Sequence, residues 1–152
     1  DVEAGVPYLT HAEINAGALA GRGLELLWVD DPVALFFAQI QGSARVSLAD
    51  GGAIRIGYAG KNNHPYVAIG KVLKDRGELE EVNLFTIHAW LNANPQQARA
   101  LLEENPSYVF FRELEQSGGP IGAQGVPVTP ERSLAVDPRF IPYGMPLFLM
   151  TE

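Results

Sequence analysis

Ser43-Ala44-Arg45-Val46-Ser47-Leu48-Ala49-Asp50-Gly51-Gly52-Ala53-Ile54-Arg55-Ile56-Gly57-Tyr58 is the stretch that decides the fold class. Over 44–48 and again over 53–58, small or polar residues alternate with apolar ones, the period of a strand that buries one face. Asp50-Gly51-Gly52 lies between the two runs, and glycine reaches the positive φ that a tight reversal needs. The stretch reads as a β-hairpin.

Helix signals bracket the hairpin. Upstream, Asp31 before Pro32 reads as an N-cap followed by proline at the first helical position, where its missing N–H costs nothing. That helix should run from Val33 to about Ile40 and stop at Gly42. Earlier still, Thr10-His11-Ala12-Glu13 has capping-box form, so a short helix should follow and fade near Gly17. Residues 23–29 read as a further strand, with the alternation blurred by Leu26. Downstream, residues 66–76 place Ile69, Val72 and Leu73 on one helical stripe closed by Gly77. Asn83 can cap a helix carrying Leu84, Ile87, Trp90 and Leu91, and Asn94-Pro95 opens another with Ala98, Leu101 and Leu102 on its apolar face. Residues 108–114 form a strand candidate rich in aromatics.

After Leu114 the texture changes. Ser117-Gly118-Gly119-Pro120 and further turn residues mark a boundary or long loop over 115–130, and 133–136 and 147–149 read as short strands joined through Pro138, Pro142 and Pro146. The expected class is α+β, mainly β with several short helices, divided into residues 1–114 and 115–152. No repeat, P-loop or G-x-G-x-x-G spacing occurs.

Composition narrows the function. The 152 residues are 47% hydrophobic and 19% charged, as in a globular chain. The net charge of −7, with eleven basic residues scattered singly, argues against a nucleic-acid partner and favours a neutral or weakly charged ligand such as a glycan. The absence of cysteine excludes disulfides, thiol catalysis and Cys-based metal sites. Apolar runs such as 146–150 are far too short to span a bilayer. No export leader opens the chain, so any such signal is expected to have been removed or never present.

Two stretches carry the grouping that saccharide binding needs. Gln39-Ile40-Gln41-Gly42-Ser43 clusters two amides and a hydroxyl, groups that donate to and accept from sugar hydroxyls, around a glycine that lets backbone approach a ligand. The same pattern is also a polar helix terminus with a glycine stop, which spacing alone favours. Tyr58-Ala59-Gly60-Lys61-Asn62-Asn63-His64-Pro65-Tyr66 sets aromatic faces beside amides, matching the two characters of a pyranose. Asn62-Asn63-His64-Pro65 equally reads as a plain turn. The three histidines, His11, His64 and His88, have no metal-ligand spacing, so packing or surface roles are expected. Asp137, after Leu134-Ala135-Val136, should sit at a strand end, where partial desolvation would raise its pKa; an Asp-Pro turn is the plainer alternative.

Taken in order, Asp31-Pro32, Phe36-Phe37, Gln39-Ile40-Gln41-Gly42-Ser43, Gly57-Tyr58-Ala59-Gly60, Asn62, His64-Pro65-Tyr66 and Ile69-Gly70 resemble the insert domain of MltA-type lytic murein transglycosylases. Asn105-Pro106-Ser107-Tyr108-Val109-Phe110-Phe111-Arg112 and Thr129-Pro130-Glu131-Arg132-Ser133-Leu134-Ala135-Val136-Asp137 continue the resemblance. Ala44 departs from it, standing where a second glycine is expected.

The resemblance implies a small glycan-binding β-barrel insert over 1–114 and part of a double-psi β-barrel over 115–152. Peptidoglycan glycan strands are the implied partner, with groove contacts from Gln39, Gln41, Gly42, Ser43, Asn62, His64 and Tyr66. The implied chemistry is non-hydrolytic cleavage of the MurNAc–GlcNAc β-1,4 bond with closure of a 1,6-anhydro ring, without metal or cofactor. Asp137 matches the first of three aspartates and is expected to support a main acid lying beyond Glu152, so the chain is expected to be an inactive fragment. The resemblance further implies a periplasmic, outer-membrane-associated location, with any anchoring through a segment this chain lacks. A non-catalytic carbohydrate-binding module and a cell-wall scaffold are the competing readings.

Overall fold

Asp31 sets the first long helix. In the computed structural model, which describes residues 5–115 and 119–150, its carboxylate accepts hydrogen bonds from the Val33 and Ala34 N–H groups at 2.9 and 2.8 Å. With Pro32 in the first turn, α2 runs Pro32–Gln41 and ends on Gly42, whose φ of 77° lies in the left-handed region that closes helices. The shorter α1, His11–Asn15, opens on Thr10 with the expected capping box to Glu13.

The hairpin follows directly. β1 (Ser43–Ser47) and β2 (Ala53–Lys61) pair antiparallel from Ser43↔Gly57 to Ser47↔Ala53. Their turn is held by Leu48 N–H donating to the Gly52 carbonyl and by Gly52 N–H donating to the Asp50 carboxylate. Three helices come next: α3 Ile69–Asp75, α4 Leu84–Ala93 and α5 Pro95–Glu103. Asn83 caps α4 through a capping box with Thr86. β3, Val109–Leu114, then returns antiparallel to β2, with an irregularity between Tyr58 and Gly60, giving a three-stranded sheet of order β1-β2-β3.

Helices supply the main core. Phe36 of α2, Ile69 and Leu73 of α3, Leu91 of α4, and Ala98, Leu101 and Leu102 of α5 form one buried cluster. Each fully buried large side chain among these contributes about 1.5–3 kcal/mol relative to exposure. Ile56 is buried within the sheet.

Several expectations change. The class is α+β, but among the described residues the helices outweigh the strands, so "mainly β" does not hold. Residues 23–29 form no strand: Leu24 is 65% and Trp28 88% exposed. A strand needs a partner, and none of the described strands pairs with this segment. Residues 133–136 and 147–149 are not strands either. The surrounding hydrogen bonds are turns, such as Ser133 N–H to the Thr129 carbonyl, and the nearby prolines lack the N–H a ladder uses. The helix expected from about 66 begins at Ile69.

The chain divides into two compact units, Asp1–Leu114 and Glu115–Glu152. Among the described residues of the second, turns dominate, with one isolated bridge between Ile121 and Pro127. No described helix is long and apolar enough to cross a membrane.

Candidate functional site

The end of α2 and the end of β2 carry the two polar stretches singled out in the sequence, and the fold ties them together through Tyr108. Gly42 turns the chain out of α2 so that Ser43 pairs with Gly57. A Cβ on Gly42 would lie 4.0 Å from the Cβ of Tyr58, which places the helix terminus beside the half-exposed Tyr58 ring. Gln41 is exposed there, and Ser43 is half-buried.

Gln39 points the other way. It is buried against Tyr108, and its Nε2 has no hydrogen-bond partner among the described residues. Burial pushes the Tyr108 phenol up, with the Gln39 contact acting against that rise. Gln39 also lines a cleft of about 390 Å³ whose walls include His11, Val33, Phe36, Ala98 and Arg99. It alone of the residues expected to touch glycan lines this cleft.

Asn62 is also committed inward. It is fully buried; its Nδ2 donates to the Leu9 and Pro106 carbonyls at 2.8 Å each, and its Oδ1 accepts from Tyr108 N–H at 2.8 Å. The expected sugar contact is therefore a structural clamp, because no part of its amide is left for a ligand in this conformation. Two residues on, His64 Nε2 lies 2.6 Å from the Tyr8 carbonyl, and Tyr66 remains 54% exposed with its phenol pushed up by partial burial. The groups that face solvent at this end of the sheet are thus Gln41, Tyr58 and Tyr66, with Ser43 and His64 half-buried beside them.

His11 takes the packing role open to it in the sequence, whereas the buried position of Asn105 had no local signal. Both are buried. His11 stacks on Phe36 at 6.0 Å and meets Tyr108 edge-on at 5.5 Å, with Nδ1 3.2 Å from the Asn105 carbonyl. The capping box gave a signal for the helix start but none for this burial. His88 behaves as expected of a packing residue, stacking on Phe37 at 4.4 Å. No group of three or more potential metal ligands occurs among the described residues.

Asp137 lies in the second unit and overturns the expectation of a raised pKa. Its carboxylate accepts from Arg139 Nη2 at 2.6 Å and from Arg139 Nε at 3.0 and 3.1 Å, and also from Arg139 N–H at 2.9 Å. The guanidinium and the backbone N–H hold the carboxyl below the usual range for aspartate. Phe140 and Ile141 N–H groups donate to its carbonyl, so the residue heads a turn and ends no strand.

Residues 2–112 match the family described as the MltA specific insert domain. The chain belongs to the MltA family. Membrane-bound lytic murein transglycosylase A from Vibrio cholerae is 43% identical over 143 residues, covering 91% of this chain and 38% of that relative. The Escherichia coli K12 protein of the same name is 40% identical over the same shares. Among solved structures, the lytic transglycosylase LtgG of Burkholderia pseudomallei is 53% identical with a TM-score of 0.72, covering 91% of this chain and 42% of that one. E. coli MltA with bound chitohexaose is 37% identical with a TM-score of 0.80, covering 88% and 41%. The helices and three-stranded antiparallel sheet match these MltA structures. The chain spans well under half the length of the MltA relatives it matches.

Proposed function

We propose that this chain is the glycan-holding part of a lytic murein transglycosylase, with residues 1–114 as a small β-barrel insert and 115–152 as the opening of a double-psi barrel. The observation that carries the reading is the match to an MltA structure that holds chitohexaose, a β-1,4-linked amino-sugar oligomer. Gln41, Gly42, Ser43, His64 and Tyr66, with Tyr58, are the residues placed to meet a sugar chain. Aromatic faces stack on pyranose rings while amide and hydroxyl groups meet their hydroxyls. Asn62 acts behind them by fixing the backbone.

In the complete enzyme, one carboxylic acid protonates the glycosidic oxygen between MurNAc and GlcNAc, then as carboxylate takes the proton of the sugar's own C6 hydroxyl. That hydroxyl closes a 1,6-anhydro ring, so the nucleophile is already tethered and a second catalytic carboxylate is dispensable. Asp137 supports that acid from an ionised state, and the acid itself belongs to sequence beyond Glu152. The setting is the periplasmic side of the outer membrane.

A purely binding role for residues 1–152 is favoured by one observation: Asp137, the acid singled out for chemistry, is held ionised by Arg139. A scaffold role finds less support, since the Tyr108 ring packs against His11 and Phe110, and β3 is paired to β2 along its length. Incubation with purified peptidoglycan, followed by pull-down and mass spectrometry of the soluble products, tests the reading. Retention on murein without 1,6-anhydro products is expected. Anhydro products would place a sufficient acid within these residues, and absence of retention would leave the family relation as ancestry alone.

A further inference from the structure

One face of the sheet carries three arginines and no acid. Residues directly opposite in an antiparallel ladder share a face, as do residues two apart on one strand. The register sets Ser43 opposite Gly57, Gly57 opposite Arg112, Arg45 opposite Arg55, and Arg55 opposite Leu114. Ser43, Arg45, Arg55, Gly57, Arg112 and Leu114 therefore lie on one face, on strands about 4.8 Å apart. Glu113, the one acid in the three strands, pairs with Ile56 on the other face.

This arrangement runs against the composition. The chain has 18 acids and 11 bases, yet this face gathers only bases. Arg45 directly opposite Arg55 is a like-charge pair, which costs a sheet stability. Arg55 is half-buried and engaged within the chain. Arg45 and Arg112 are exposed and form no ion pair among the described residues. Between them the floor is apolar: a Cβ on Gly57 would lie 2.7 Å from Leu114 Cδ1, so Leu114 covers the middle of the row.

We propose that this arginine face binds carboxylates carried by murein, extending the neutral sugar site from Ser43 along the sheet. The inference rests on the glycan-binding reading above and names what that site adds to it. Guanidinium groups grip carboxylates with paired, charge-assisted hydrogen bonds, and Arg45 and Arg112 flank a shared strand from which such groups can be reached together. Murein offers carboxylates from two sources: the lactyl group of peptide-free muramic acid, and the stem peptide where one is attached. A chitin oligomer offers neither.

The test titrates the 152-residue chain with chitohexaose, with murein glycan strands stripped of peptides by an amidase, and with soluble murein chains that keep their stems. Carboxylate-bearing ligands should bind about tenfold more tightly than chitohexaose, and the advantage should shrink as salt rises. The Arg45→Gln, Arg112→Gln double variant should erase that advantage while chitohexaose affinity and melting temperature stay as in the wild type. The single variants serve if the double variant melts early. Preference for stripped strands assigns the lactyl carboxylate, and preference confined to stem-bearing chains assigns the peptide. Chitohexaose bound as tightly as the charged ligands, or an advantage that survives both substitutions, overturns the inference and leaves the glycan reading standing. Absence of binding to all three ligands removes both.

Discussion

Asn62 and Tyr108 exchange two hydrogen bonds: the Asn62 backbone N–H donates to the Tyr108 carbonyl at 3.1 Å, and the Tyr108 N–H donates to Asn62 Oδ1 at 2.8 Å. The same side chain holds the Leu9 and Pro106 carbonyls, so one residue joins the entry to α1, the end of β2 and the entry to β3. Asn62→Ala should cost about 3 kcal/mol, because it leaves several buried backbone groups unpaired. Urea unfolding measures the loss, and glycan affinity should fall only with the folded fraction. Full stability with lost binding would return Asn62 to the ligand.

That residue also shows where sequence reading stops. Caps and turns were legible, since Asp31-Pro32, Asn83 and Asp50-Gly51-Gly52 act within a few residues of themselves. Asn62 stands out in the sequence, but a polar side chain reads the same whether it faces a ligand or a buried carbonyl; only its bond to Pro106, 44 residues away, separates the two. Residues 23–29 and 133–136 failed for a related reason, because strand formation depends on a partner that local pattern does not reveal.

Two glycines separate a backbone requirement from a packing one. Gly42 has φ 77°, and a Cβ there would meet only Tyr58 Cβ, at an ordinary contact distance of 4.0 Å. Gly42→Ala should cost about 1–2 kcal/mol through the left-handed conformation alone. Gly70 in α3 is different: a Cβ there would lie 2.6 Å from Val82 Cγ1 and 2.8 Å from Ile87 Cδ1. Gly70→Ala should cost about 1–3 kcal/mol by pushing α4 off α3, despite the gain in helix propensity. Thermal melts of the pair check this, and a Gly70→Ala variant more stable than wild type would show that the contact yields freely.

His11 should make stability depend on pH. Burial among Phe36 and Tyr108 pushes its pKa below 6.5, with the Asn105 carbonyl acting partly against that shift. The folded chain therefore takes up this proton less readily than the unfolded chain. The stability it protects is complete above the unfolded value and is lost as pH falls through 6.5 toward the folded value. Melting temperature should drop between about pH 7.5 and about pH 5.5, and His11→Phe should flatten that part of the slope while lowering the starting stability. Parallel curves for the two proteins would remove His11 as the cause.

Asp137 should titrate below an ordinary aspartate because Arg139 donates to both its carboxylate oxygens. Carboxyl-carbon NMR reads this directly, and Arg139→Gln should move the titration upward. In the complete enzyme, Asp137→Asn should reduce turnover without abolishing it, since an ionised carboxylate can position or polarise a neighbouring acid but cannot itself donate the proton. Loss of all turnover with an intact fold would make Asp137 the acid and reverse the roles.

Gln41 offers the cleanest separation of binding from folding. It is the last residue of α2, exposed, and it precedes the left-handed Gly42 that delivers Ser43 to the sheet. No hydrogen bond within the described residues uses its side chain, so Gln41→Ala should leave the unfolding free energy within about 0.5 kcal/mol of the wild type. Lost hydrogen bonds to a sugar should weaken chitohexaose binding by about three- to tenfold. Isothermal titration supplies both the affinity and a check on stoichiometry. Unchanged affinity at unchanged stability would mean that the α2 terminus is only a helix stop, and that glycan is held instead by Tyr58, His64 and Tyr66.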